Sequence, residues 1–443
     1  MVFEFKNLGI VESATIELKG LTIITGLNDT GKSFISKAIY SVIKTVYGSS
    51  EQAVNEKYEQ ISNLTNQIFS NHRQVVPFTQ QKVQIFNPHE LTRKIFASLE
   101  NDSSNQEALK IIKDYTKSVL DDINQNQLSI SPIRQNVIKR IEEFSGQISI
   151  LLLDNINDDE KKFKIFFDKV VIQKLFQGQL NNLSSKEKDL EINLIEGVNE
   201  LLKISVKDNK TQSFKLKSFL FIEDATIIET PTILQLAKFI TTTLAFPSDL
   251  KKIYQQRSEL PYPYYDLLEK MNLSGNIPDG HSEIFNDISK IIGGKLMFKI
   301  EENSFVFVKD NGVVIKSFNI ATGIKSLGLI QLLLNSESIN PKTILIIDEP
   351  EIHLHPTWEI QYAKLIVSLA KMGIPIVISS HSPYFLKALT IYVKEFNVEE
   401  LTKVYFGEKK SGSSESYFRD VTDDLEPIFK KLAEPMQDLL FNA

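Results

Sequence analysis

Polar and apolar positions along this chain follow patterns that change character several times. Over residues 2–18 they alternate, Phe3 and Phe5 against Glu4 and Lys6, then Ala14, Ile16 and Leu18 against Thr15 and Glu17. A period of two predicts two half-buried strands. Lys19-Gly20 then turns the chain into Leu21-Thr22-Ile23-Ile24-Thr25, which reads as a short buried strand. Farther on, Ile35, Ile39 and Ile43 stand four apart, the spacing of one helix face.

From about residue 48 to 190 the sequence is rich in Asn, Gln, Lys, Glu and Ser, with helical periodicity and few strand signals. Ile138, Ile141 and Phe144 share a face, as do Phe163, Phe166 and Phe167. Turns are expected at residues 154–160 and 177–185. The charge runs read as solvated faces, and no heptad persists long enough for a coiled coil. This block is read as a helical insertion over 49–190, dividing a globular head into 1–48 and 191–443.

Strand signals return with Ile204 and Val206, a turn at Asp208-Asn-Lys, and Phe214 and Leu216 alternating with lysines. Residues 225–231 form a strand with a proline stop, and residues 233–292 look helical with breaks at Pro261 and near Pro278. Lys295–Ile300, Ser304–Lys309 and Val313–Phe318 predict an antiparallel meander, the last two joined through Asp310-Asn-Gly. An apolar helix carrying Leu327, Ile330 and Leu334 follows.

Composition narrows the class. At 443 residues the chain holds enough for a large core. Its net charge of −6 comes without a polybasic tail, so any nucleic-acid contact must come from a local patch. The absence of cysteine excludes disulfides and thiolate metal sites. The N-terminus lacks the apolar core of a signal peptide, and no apolar run reaches membrane-spanning length, so a cytoplasmic protein with no membrane contact is expected.

The chemistry begins at Gly26-Leu27-Asn28-Asp29-Thr30-Gly31-Lys32-Ser33, which fits G-x-x-x-x-G-K-[ST] between a buried strand and a helix. The glycines let backbone N–H groups turn inward, and the helix N-terminus adds partial positive charge, so the loop can cradle phosphates. Lys32 would reach the β- and γ-phosphates and the Ser33 hydroxyl would bind Mg²⁺. Thr343-Ile-Leu-Ile-Ile-Asp348-Glu349-Pro350 is a fully apolar strand ending in two carboxylates, as in the buried strands of a parallel α/β sheet. Asp348 would hold the Mg²⁺ through water, and Glu349 would polarise the attacking water. A helix from Thr357 to Met372 and a second buried strand, Ile374–Ser379, lead to His381, where a neutral imidazole can hydrogen-bond the γ-phosphate.

In this order of motifs the chain resembles ABC-type ATPase heads. The Ile24-Thr-Gly-x-Asn-x-x-Gly-Lys-Ser33 loop, Ala321-Thr-Gly-Ile-Lys325, and Asp348-Glu-Pro-Glu-Ile-His-Leu-His-Pro356 narrow the resemblance. They point to the RecF/SMC-like ATPases of the overcoming-lysogenisation-defect (OLD) nuclease group, and to the ATPases of anti-phage systems such as Septu, PARIS and Gabija. The likeness covers about residues 1–45 and 195–443. It implies a P-loop ABC-type α/β head: a mixed central sheet with flanking helices, an antiparallel β lobe and a large helical insertion.

The resemblance also implies ATP and Mg²⁺ as cofactors, with Gly26, Asn28, Thr30, Gly31, Lys32 and Ser33 around the nucleotide. Thr322 and Gly323 take the place of signature residues that contact the γ-phosphate of the opposite subunit, and Lys325 a place often filled by Gln or Lys. His381 matches the switch histidine, and Glu351–His355 the loop that crosses the dimer interface. Departures are Asp29, whose negative charge in the phosphate loop would lower nucleotide affinity, and the lack of an obvious Gln for the Mg²⁺-contacting loop, for which Glu229-Thr230 stands in the right topological place. His353 and His355 read as interface or structural residues rather than as a metal pair.

The implied function is ATP hydrolysis in a homodimer or higher homo-oligomer that closes head to head and regulates a separate effector, a nuclease or toxin, in anti-phage defence. The stretch after His381 is too short for the family's TOPRIM nuclease domain together with the last strands of the head, so the effector is expected on another chain. The alternative is a RecF-like ATPase of repair or chromosome maintenance that binds DNA directly.

Overall fold

The computed structural model describes the chain except residues 102–104, 126–131, 154–157, 181–187, 219, 238–260, 272–282, 303, 353 and 442–443. It divides into two compact units, residues 1–49 with 163–443, and residues 50–162. The alternating N-terminus forms β1 (Val2–Leu8) and β2 (Val11–Glu17), with Phe3, Phe5, Ala14 and Ile16 buried. The apolar run after them is β3 (Leu21–Gly26), buried at every position. Helix α1 (Lys32–Val75) starts at the glycine loop, and Ile35, Ile39 and Ile43 are its buried stripe. It runs unbroken through the change of composition near residue 48.

The 50–162 unit is helical. The later part of α1 is followed by α2 (Gln80–Ile85), α3 (Pro88–Asn101), α4 (Gln106–Gln125) and α5 (Pro132–Leu153). Ile68, Ile95, Ile112, Val119, Ile141 and Ile148 belong to its own core. Ile138 and Phe144 pack on that core beside Ile141, the face read from the sequence.

The unit boundary falls at residue 162 rather than at the expected 190. Phe163 and Phe166, on α6 (Asp159–Phe166), and Phe167, in the π-helical turn Phe167–Leu175 that follows, are buried in the core of the larger unit. Residues 154–157 and 181–187, within the two expected turns, lie outside the described residues.

Next come β4 (Leu190–Glu196), β5 (Asn199–Lys207), β6 (Lys210–Leu216) and β7 (Asp224–Ile228). In the predicted helical stretch, α7 (Tyr262–Lys270) starts at the Pro261 break and is followed by α8 (Glu283–Ile292). Residues 233–237 are helical too, while 238–260 and 272–282 lie outside the described residues. The meander is β8 (Gly294–Lys299), β9 (Ser304–Lys309) and β10 (Val314–Lys316), a separate antiparallel sheet. The C-terminal part holds α9 (Thr322–Asn335), β11 (Thr343–Asp348), α10 (Pro356–Lys371), β12 (Ile376–Ser380), α11 (Pro383–Glu395), β13 (Thr402–Lys409), β14 (Ser416–Asp420) and α12 (Glu426–Phe441).

Eleven of these strands form one mixed sheet in the order β6-β5-β4-β1-β2-β14-β13-β3-β12-β11-β7. From β13 to β7 the neighbours are parallel, so β3, β11, β12 and β7 end at the same edge. Successive residues of these strands feed opposite cores. Ile23, Ile347 and Ile378 join the core that holds α9, α10 and α11, and Ile24, Ile346 and Val377 join the one that holds α1. This is the expected α/β head. Among the described residues no helix is long and apolar enough to cross a membrane.

Candidate active site

Open α/β sheets bind ligands beyond the carboxyl ends of their parallel strands. Here that edge carries the glycine loop after β3, the acid pair after β11 and His381 after β12. The loop needs its two glycines. A Cβ on Gly26 would stand 2.7 Å from the Gly407 carbonyl oxygen, and one on Gly31 2.4 Å from Val11 Cγ2. Both have positive φ, +148° and +88°.

Asp29 is left-handed too, at φ +59°, a conformation that Asp tolerates better than most residues. Its exposed carboxylate accepts a hydrogen bond from Lys409 Nζ at 2.7 Å, so the negative charge expected to weaken nucleotide binding has a cation beside it. Thr30 donates its hydroxyl to the Leu27 carbonyl at 2.9 Å, and its own carbonyl accepts from Ser416 Oγ at 2.7 Å, bracing the loop from β14. Asn28 is exposed at the mouth of the loop.

Lys32 is buried, and its Nζ donates to the carbonyls of Gly26 (3.0 Å) and Leu27 (2.9 Å). Burial lowers its pKa, opposed by the nearby charges of Glu349, Asp348 and Glu351. One residue on, Ser33 donates its hydroxyl to Asp348 Oδ1 at 3.1 Å, an oxygen that also accepts from the Ser379 hydroxyl. Glu349 takes a left-handed turn off the strand end at φ +47°, its N–H held by the Ser379 carbonyl at 3.0 Å. Glu349 Oε1 then lies 3.2 Å from His381 Nδ1. The fold thus gathers a phosphate-binding loop, a buried lysine, a hydroxyl–carboxylate pair and a carboxylate–imidazole pair, a set suited to phosphoryl transfer to water.

The residues expected to form the signature lie on a different element. Thr322 and Gly323 head α9, which packs on α8 and β8, and Gly323 lies against Trp358 and Leu354. Lys325, one turn into α9, is buried, and this lowers its pKa. Glu229 follows β7, which pairs with β11 so that Ile228 is level with Ile347, and its carboxylate is 2.6 Å from Lys37 Nζ. His355 caps α10, its Nδ1 accepting from the Thr357 N–H at 3.3 Å, while His353 lies outside the described residues.

The family described as AAA ATPase domain matches residues 2–386. The chain belongs to that family. This ATPase has no match among curated proteins. It is similar in fold to solved heads of SMC proteins: the "SMC head domain from Thermotoga maritima" at 12% identity, covering 95% of this chain and 98% of that one with a TM-score of 0.39. An SMC head bound to the C-winged helix domain of ScpA matches at 11% identity, covering 96% and 97%, TM-score 0.41. The Pyrococcus furiosus head with an extended coiled coil, bound to the C-terminal domain of ScpA, matches at 11%, covering 98% of each, TM-score 0.40.

Three residues that the fold brings to this candidate site are not evident in the sequence. Ser379 joins Ser33 on Asp348, Lys409 faces Asp29, and Glu351, read as an interface residue, is buried with its carboxylate turned to the loop of His381. The run Asp348-Glu-Pro-Glu351 was the available signal for the last, since a third carboxylate after a buried strand is tolerated in a buried place only if it finds donors nearby.

Proposed function

We propose that this ATPase is a nucleotide-driven switch, in which two copies close head to head on ATP and open on hydrolysis, controlling a separate nuclease or toxin in anti-phage defence. The observation that carries the reading is the split arrangement of its motifs. Lys32, Ser33, Asp348, Glu349 and His381 share one sheet edge, whereas Thr322 and Gly323 head a helix whose core lies on the sheet face opposite α1. A second copy gives Thr322, Gly323 and Lys325 a phosphate to meet. Beside the site Ile352 and Tyr384 are 43% and 72% exposed, apolar surface that a closing partner would cover.

In this reading the loop N–H groups and the α1 N-terminus hold the phosphates, and Lys32 leaves the Gly26 and Leu27 carbonyls for the β- and γ-phosphate oxygens. The Ser33 hydroxyl and Asp348 carboxylate fit a hard cation, and Mg²⁺ held there would neutralise charge on the β- and γ-phosphates. Glu349 orients and activates the attacking water. His381 donates to the γ-phosphate, its Nδ1 held by Glu349. Closure is favoured because signature contacts to the γ-phosphate exist only in the paired state.

Incubating the purified chain with single- and double-stranded DNA and RNA, with ATP and Mg²⁺ or Mn²⁺, tests the separate effector. No cleavage is expected. Cleavage that co-purifies with the chain and persists in Lys32→Ala and Glu349→Gln contradicts it. Salt-dependent DNA binding that stimulates hydrolysis would instead support the RecF-like role in repair or chromosome maintenance.

A further inference from the structure

The Glu351 side chain is 7% exposed as a residue and reaches from the turn after β11 to the neighbouring strand end. Its Oε1 accepts three hydrogen bonds from three successive residues: the Ser380 hydroxyl at 2.7 Å, the His381 N–H at 2.9 Å and the Ser382 N–H at 3.1 Å. Its Oε2 is buried without a hydrogen-bond partner. The far end of the same loop is fixed independently, Ser382 capping α11 through the Phe385 N–H and donating its hydroxyl to buried Glu359 at 2.7 Å. The backbone that carries His381 is therefore clamped at both sides, and Glu351 holds the side next to the acid pair.

We propose that Glu351 is a positioning residue for ATP hydrolysis, gripping the backbone of residues 380–382 so that the His381 imidazole stands against Glu349. It rests on the roles given above to Glu349 and His381. Glu351 acts on the loop and on the ring, its Oε1 also lying 3.6 Å from His381 Nδ1, and not on the substrate. It supplies one shared acceptor to three donors, of which the Ser382 N–H has a second acceptor in Ser380 Oγ at 3.2 Å, and each of the three bonds fixes the backbone next to the imidazole. Because Glu351 also begins the turn closed by the Leu354 N–H on its own carbonyl at 3.0 Å, movement of that turn would reach His381 through a single side chain.

The test compares steady-state hydrolysis and nucleotide binding in Glu351→Ala, Glu351→Gln, His381→Ala and the Glu351→Ala/His381→Ala double variant, with Glu349→Gln as the control for the site. Glu351→Ala should lower kcat about 100-fold, the scale of a small misplacement of reacting groups, with ATP affinity little changed. Glu351→Gln keeps an oxygen acceptor and should retain most of the wild-type kcat. The double variant should match His381→Ala within about twofold, because Glu351 acts only through that histidine. If Glu351→Ala does not accumulate as folded protein, Glu351→Asp, one methylene short of its donors, takes its place with the same expectation.

Wild-type kcat in Glu351→Ala, a Gln variant as slow as Ala, or losses that multiply in the double variant would each overturn the proposal. Normal hydrolysis by Glu349→Gln would instead overturn the site reading beneath it.

Discussion

The Ser33 hydroxyl and Asp348 Oδ1 lie 3.1 Å apart although 315 residues separate them, joining the start of α1 to the end of β11. This pair is the hard-oxygen element of the site. Asp348→Asn keeps the shape and removes the charge that would attract a divalent cation. The variant should need a higher Mg²⁺ concentration for half-maximal hydrolysis, with ATP binding in EDTA unchanged. An unaltered Mg²⁺ titration would place the metal elsewhere.

A second prediction concerns stability. Under α1 a buried network holds two cations and two anions. Lys44 Nζ is 2.9 Å from Asp224 and 2.6 Å from Asp266, Lys270 Nζ is 2.6 Å from Asp224, and Tyr40 donates to Asp266 at 3.0 Å. Asp266→Ala leaves two buried ammonium groups to one carboxylate and should cost about 3–5 kcal/mol in denaturant unfolding. Replacing Lys44 and Asp266 together by Met and Leu should cost clearly less, because no charge is then left uncompensated. Equal losses would mean that packing, not charge balance, sets the effect.

The helical unit should respond to acid through His72. Its ring is fully buried edge-on to Phe78 and Phe86, and its Nε2 is 2.9 Å from Asp122, which also accepts from Lys82 at 2.6 Å. Burial pulls its pKa below the ordinary value of 6.5, opposed by Asp122 and assisted by Lys82. The unfolded chain then takes up the proton first as pH falls. Stability supplied by neutral His72 is present above pH 6.5 and drains away between that value and the lower folded-state pKa. Once the intrinsic slowing of exchange with falling pH is divided out, protection factors in residues 57–75 and 106–125 should fall from about pH 7.5 to 5.5, and His72→Gln should remove that fall. The same fall in the variant would assign the acid response to other groups.

The motifs legible in the sequence are those encoded locally. A glycine loop between strand and helix, an apolar strand ending in acids, and alternation in β1, β2 and β8–β10 need only neighbouring residues to be read. What stayed hidden depends on which strands become neighbours. Glu351 meets Ser380 across 29 residues because β11 pairs with β12, and Asp29 meets Lys409 across 380 because β13 pairs with β3. Phe163, Phe166 and Phe167 show a helix face whichever core receives it, so their spacing could not place the unit boundary. The fall in hydrophobicity after residue 48 leaves the helical backbone of α1 unbroken, so composition alone could not end the helix there.

The central claim is that ATP joins two heads through a signature that has no phosphate within its own chain. Its most direct measurement is the mass of the Glu349→Gln protein by size exclusion with light scattering, with and without ATP·Mg²⁺. The companion variant is Thr322→Arg. Gly323→Arg is less clean, because even a Cβ at that position would stand 2.9 Å from the Trp358 ring and disturb the fold itself. The account predicts that ATP shifts Glu349→Gln to the dimer mass and that adding Thr322→Arg abolishes the shift while ATP still binds. A mass unchanged by ATP, or an ATP-driven dimer that survives Thr322→Arg, would contradict it.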